Sequence, residues 1–145
     1  MSDVYVLDSY AVLALLGDED GAEEVKAVLK RAQKGEAQVL MSWVNVGEVA
    51  YIIERRQGKE KVHQVLGGLE ATEIMLVEVG RELALRAAAI KTDYPLAYAD
   101  AFAAALAIKA GGVLITGDPE FEGLAEVVDI EWLPRKAKGL KCASI

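Results

Sequence analysis

Four acidic side chains stand where the chain could gather them: two at the ends of strand-like runs and two within apolar helical segments. Asp8 follows the strand-like run Val4–Leu7 and precedes an apolar helical run, Ala11–Leu16, so it stands at the carboxyl end of a strand, where open α/β sheets gather ligands. Glu48 lies four residues after Val44 and four before Ile52, within an apolar helical stripe and not on the charged face where Glu54 and Arg55 belong. Asp100 sits in a segment, Ala97–Ile108, that is otherwise apolar on every side. Asp118 leaves a second strand-like run, Val113–Thr116, across Gly117. Each acid alone has an ordinary account: a helix N-cap for Asp8, a boundary residue reaching solvent for Glu48, a first-turn acid for Asp100 and a Gly-Asp-Pro turn for Asp118. Brought to one sheet edge they need a cation, because unpaired carboxylates repel one another and resist desolvation. The only histidine is His63 and the only cysteine is Cys142, which excludes a zinc site built from imidazoles and thiolates and any internal disulfide. Oxygen ligands alone select a hard ion, Mg2+ or Mn2+, and such a centre suits phosphodiester hydrolysis without a histidine.

The elements that must position these acids alternate along the chain. Strands are expected at 4–7, 38–41, 73–79, 113–116 and 127–132. Helices are expected at 11–16, 22–34, 44–56, 59–69, from Gly80 to about 92, and 97–109, with Ser42 as an N-cap and a turn at 117–121. Gly67 and Gly68 weaken the fourth of these helices. Strands separated by helices imply right-handed crossovers, hence an α/β fold: a three-layer α/β/α sandwich around a four- or five-stranded, mostly parallel sheet. Asp8 and Asp118 should then leave adjacent or near-adjacent strands, with Glu48 and Asp100 pointing between them from helices. No strand is followed by G-x-G-x-x-G and no G-x-x-x-x-G-K-[ST] occurs, so the common dinucleotide and P-loop cradles are absent from the sequence. A phosphotransferase using Asp8 as nucleophile would usually carry a second Asp two positions on, where Tyr10 stands.

Composition bounds the remaining choices. The 145 residues, 53% of them hydrophobic, suit one compact domain over 1–145 with a basic tail from about 135. No apolar run approaches the roughly 20 residues of a membrane span, and no signal-peptide pattern is present, so a cytoplasmic protein is expected. The formal charge is −7, which argues against nucleic acid unless the basic residues are concentrated. They cluster at Arg55, Arg56, Lys59 and Lys61 and again at Arg135, Lys136, Lys138 and Lys141, in each case readable as a solvated helix end or tail. Asn45 is the only asparagine while Glu and Lys are plentiful, a composition of the heat-adapted kind. Apolar helices on so small a domain suggest a homodimer, with the helix carrying Glu48, Arg55 and Arg56 lining the groove beside the site.

In this order, Asp8 within VLDSYAVLALL, Glu48 within NVGEVAYII, Asp100 within YADAFAAALA and Asp118 within TGDPEF resemble the acidic signature of PIN-domain ribonucleases, nearest to the small VapC-type toxins of prokaryotic toxin–antitoxin pairs. The resemblance runs from Val4 to about Trp132. It implies a PIN-like α/β/α sandwich, Mg2+- or Mn2+-dependent cleavage of RNA, frequent homodimers and inhibition by a cognate antitoxin. It also implies Asp8, Glu48, Asp100 and Asp118 as the catalytic and metal-binding acids, with Ser9 and Thr116 as polar helpers. Members often carry Ser or Thr shortly before the third acid, whereas Leu96–Ala99 offers only Tyr98. Two alternatives stay open: a non-catalytic PIN-like module that binds RNA or protein, and a Mg2+-dependent phosphatase acting on small substrates.

Overall fold

The computed structural model describes residues 3–134. Its sheet comprises β1 (Asp3–Leu7), β2 (Ala37–Ser42), β3 (Ile74–Val77), β4 (Val113–Thr116) and β5 (Asp129–Trp132), in the order β3-β2-β1-β4-β5. Every neighbouring pair is parallel. The helices are α1 (Ser9–Leu16), α2 (Ala22–Gln33), α3 (Trp43–Gln57), α4 (Lys59–Glu70), α5 (Arg81–Asp93) and α6 (Tyr98–Ala110), with a short 3-10 helix at Pro119–Leu124.

Strand alternation divides the core into two layers. Val6, Leu40 and Leu114 face α5, α6 and the 3-10 turn, where they meet Leu83, Phe102, Leu106 and Phe121. Leu7, Val39, Met41 and Ile115 face the other way, against Val12, Val25, Val46 and Val49 of α1, α2 and α3. Helices thus cover both faces of a parallel sheet, the three-layer α/β/α fold expected from the alternation. α6 is enclosed as its composition demands: Asp100 to Ala107 are all buried, and Gly111, with φ +64°, ends the helix in the left-handed conformation that favours glycine. The next residue, Gly112, lies so close to β1 that an added Cβ would sit 2.8 Å from the Val4 carbonyl oxygen, which lets β4 start beside β1.

The differences from the sequence expectation lie at element ends. The turn at 117–121 continues as the 3-10 helix to Leu124, because Phe121 and Leu124 are buried and draw it onto the sheet. The last strand begins at Asp129, not Val127: the amides of Val127 and Val128 both bond the Leu124 carbonyl, and Val127 is largely exposed. The third strand is confined to Ile74–Val77. α4 runs through Gly67 and Gly68 because Val62, Val65 and Leu69 bury one face of it. Among the described residues no helix is long and apolar enough to cross a membrane. The basic tail and Cys142 lie outside the described residues.

Candidate metal centre

The order β2-β1-β4 places the change of chain direction between β1 and β4, the crevice where ligands of open parallel sheets bind. Asp8 follows β1 and Asp118 follows β4, adjacent parallel strands ending at the same edge. α3 and α6 begin at this edge and bring Glu48 and Asp100 to it.

Asp8 is almost fully buried. Its Oδ1 accepts the Ala11 amide at 2.8 Å, so it is the N-cap of α1, while its Oδ2 accepts the Thr116 hydroxyl from the end of β4 at 2.5 Å. Burial nevertheless raises its pKa to about 7 against an ordinary 3.8; the two hydrogen bonds oppose the rise, and the charges of Asp118 and Glu48 add to it. Thr116 also accepts the Asp118 amide at 3.0 Å, so one hydroxyl fixes both strand-end acids. Asp118 in turn caps the 3-10 helix by accepting the Glu120 amide at 2.9 Å. Glu48 lies part-buried in α3, its Oε1 2.5 Å from the Ser9 hydroxyl of α1.

Asp100 is the acid whose ordinary account fails. As the third residue of α6 it is placed to return a hydrogen bond to the Ala97 amide, in the manner of a capping box. That amide bonds instead to Oε1 of Glu120, at 3.2 Å. Among the described residues no hydrogen bond or ion pair reaches the Asp100 carboxylate, although the residue is only 8% exposed. Burial, then the charges of Asp118, Asp8, Glu48 and Glu120, raise its pKa to about 8. No oxygen of Asp100 is a fully enclosed atom without a partner, so its carboxylate opens to solvent among the charges of four other acids, an arrangement that a cation would neutralise.

Carboxylate oxygens of Asp100, Asp118 and Glu120 lie within 4.8 Å of one another, close enough to share one ion. Glu120 was not singled out in the sequence. Its signal is the D-P-E spacing: a turn tightened at Pro119 returns the residue two after Asp118 to the same rim, while the buried Phe121 anchors the turn below. Asp8 and Glu48 flank this trio through charge, each held by a hydroxyl, Thr116 and Ser9 respectively. The donor set is all oxygen and largely anionic, which fits Mg2+ or Mn2+. Arg55 and Arg56 occupy the last turn of α3, roughly 10 Å along the helix from Glu48 at 1.5 Å per residue. Their charge therefore lies beside the cluster and not within it.

The model of the PIN domain family matches residues 5–127, and the chain belongs to that family. Its fold is similar to that of VapBC2 from Rickettsia felis bound to a promoter DNA fragment, with a TM-score of 0.71 at 14% identity over 90% of this chain and 99% of that one. VapBC-1 from nontypeable Haemophilus influenzae gives a TM-score of 0.67 at 19% identity over 89% and 97% of the two chains. VapC20 from Mycobacterium tuberculosis, a toxin that cleaves the sarcin–ricin loop, gives 0.60 at 19% identity over 83% and 94%. Comparison with curated proteins gives no significant match.

Proposed function

We propose that this chain is a Mg2+- or Mn2+-dependent endoribonuclease, the toxin of a toxin–antitoxin pair. The observation that carries the proposal is Asp100, a largely buried residue whose carboxylate makes no hydrogen bond among the described residues and opens among the charges of four other acids. Asp100, Asp118 and Glu120 would hold the cation, with Asp8 and Glu48 completing the acidic wall. A divalent ion bound there supplies Lewis acidity toward water and positive charge for the phosphate oxygens. The chain's part is to hold these carboxylates in place: Thr116 fixes Asp8 and the Asp118 amide, and Ser9 fixes Glu48, so little reorganisation accompanies charge build-up. RNA is the proposed substrate and an antitoxin the proposed partner, as the resemblance to PIN-domain ribonucleases implies and because similar folds include a sarcin–ricin-loop-cleaving toxin and toxin–antitoxin complexes. We further propose a single domain over residues 1–145, acting in the cytoplasm as a homodimer; exposed Tyr51, Leu85, Tyr98 and Ile108 on its helices supply apolar surface for pairing.

A non-catalytic PIN-like binding module has no evident use for five acids gathered at one sheet edge, and a phosphatase would accept small esters. The test is one assay with three substrates, single-stranded RNA, structured RNA and a chromogenic phosphate ester, each in Mn2+ and in EDTA. The proposal expects cleavage of RNA in Mn2+ alone. Turnover of the ester without RNA cleavage would establish the phosphatase, and binding of RNA without cleavage of any substrate would establish the module.

A further inference from the structure

The chain's only asparagine is fully buried, three residues before Glu48. Asn45 Oδ1 accepts the Ser42 hydroxyl at 2.8 Å, and the Asn45 amide donates back to Ser42 Oγ at 3.2 Å, closing the N-cap of α3. Its Nδ2 donates to the Ala99 carbonyl of α6 at 3.0 Å, one residue before Asp100. Its own carbonyl lies 3.2 Å from the Ser9 hydroxyl, the group that also meets Glu48 and follows Asp8 in the chain. One residue therefore joins the segments that carry Asp8, Glu48 and Asp100.

The tie to α6 is not demanded by either helix. The Ala99 carbonyl already belongs to the α6 ladder, and the Asn45 side chain is not needed to cap α3, which Ser42 does. A buried amide has a desolvation cost that an apolar side chain of similar size would avoid. What the amide adds is a fixed distance between two helices at the point where their acids meet. α6 has particular need of it: its N-cap is Ala97, with no side-chain cap, and Leu96–Ala99 carries no short hydroxyl to anchor the turn from within. We infer that Asn45 is a positioning residue for the metal centre, setting the separation of Glu48 and Asp100 through its bond to Ala99. This rests on the proposed metal-dependent function, and acts on it through side chains that would hold the ion without Asn45 touching ion or substrate.

Mn2+ titration calorimetry and RNA cleavage on the full chain test it, with Asn45→Ala compared against Val28→Ala. Val28 is a buried residue of α2, a helix that carries no site residue, and reports the effect of lost stability alone. Asn45→Ala is expected to weaken Mn2+ binding by about 10- to 100-fold, as loss of groups that orient metal ligands does, with cleavage falling in step. Val28→Ala, folded at the assay temperature, should bind Mn2+ like the wild type. If Asn45→Ala does not fold, Asn45→Ser, which keeps a local hydroxyl but lacks the reach to the Ala99 carbonyl, is read in the same way. Mn2+ affinity and cleavage within twofold of wild type in a folded Asn45 variant would overturn the inference while leaving the proposed function intact. A wild type that neither binds Mn2+ nor cleaves RNA would overturn both.

Discussion

At the residue scale the two most buried acids act against stability. Asp8 and Asp100 have folded-state pKa values of about 7 and about 8, above the ordinary 3.8, so between pH 4 and pH 8 the folded protein holds protons that the unfolded chain has released. Their contribution is favourable below pH 4 and is lost as pH rises through 7 and 8. Metal-free protein should accordingly unfold at lower urea concentration at pH 8 than at pH 5.5, and Asp100→Asn should flatten that slope and be at least as stable as wild type at pH 8. Urea titrations in EDTA at several pH values check this; a stability that rises from pH 5.5 to 8 in wild type would contradict it. Thr116→Val provides the opposite case. It removes the hydroxyl that bonds Asp8 and accepts the Asp118 amide, and should cost roughly 1 to 3 kcal/mol in urea unfolding. It should also reduce cleavage, since both strand-end acids lose their support. Glu48 and Asp100 were legible because each broke an apolar helical pattern, and Asp8 and Asp118 because each followed a strand-like run. Glu120 was not, because an acid in a polar turn breaks no pattern, and only the 3-10 geometry after Pro119 returns it to the rim.

At the element scale the sheet edge is a consequence of strand order. Two hydrophobic runs, Val4–Leu7 and Val113–Thr116, pair side by side in the middle of the sheet, and whatever follows each run must meet the other. The type and sequence of the elements could be read from periodicity, since apolar residues at period 2 or 3.6 report which face is buried. The ends of elements could not be read in the same way. Val127 has the apolar character of a strand residue, yet the Leu124 carbonyl captures its amide and holds the chain in a turn until Asp129. The pairing of β4 with β1 gives a prediction remote from the acids. In Gly112→Ala the added methyl would press on the Val4 carbonyl and Cγ1, both 2.8 Å away, and backbone cannot withdraw as a side-chain tip can. A loss of about 1 to 3 kcal/mol is expected in urea unfolding, with cleavage by the folded protein retained at the carboxyl edge. An unchanged midpoint would show that the start of β4 shifts freely against β1.

At the scale of the whole molecule, the proposed RNA substrate is a polyanion that would meet an overall charge of −7 and a carboxylate cluster. The proposed cation would neutralise the cluster locally, and exposed Arg55, Lys59 and Lys61, at the end of α3 and start of α4, offer positive charge away from it. Under the proposed function this charge pattern would favour the approach of RNA when metal is bound, and so tie binding and chemistry to the same ion. Pairing of two chains through the exposed aromatic and aliphatic residues of the helices should give light scattering a mass of two chains at micromolar concentration; the mass of one chain would remove the dimer from the account. The central claim is that Asp100, Asp118 and Glu120, flanked by Asp8 and Glu48, hold a divalent ion for RNA cleavage, and the most direct measurement is cleavage of one labelled RNA by wild type and Asp100→Asn, each in Mn2+ and in EDTA. Wild type should cleave in Mn2+ and not in EDTA, with Asp100→Asn reduced by about 100-fold or more in Mn2+, because losing this carboxylate weakens the hold on the ion that would stabilise transition-state charge. Cleavage by wild type that persists in EDTA, or by Asp100→Asn at the wild-type rate in Mn2+, would contradict it.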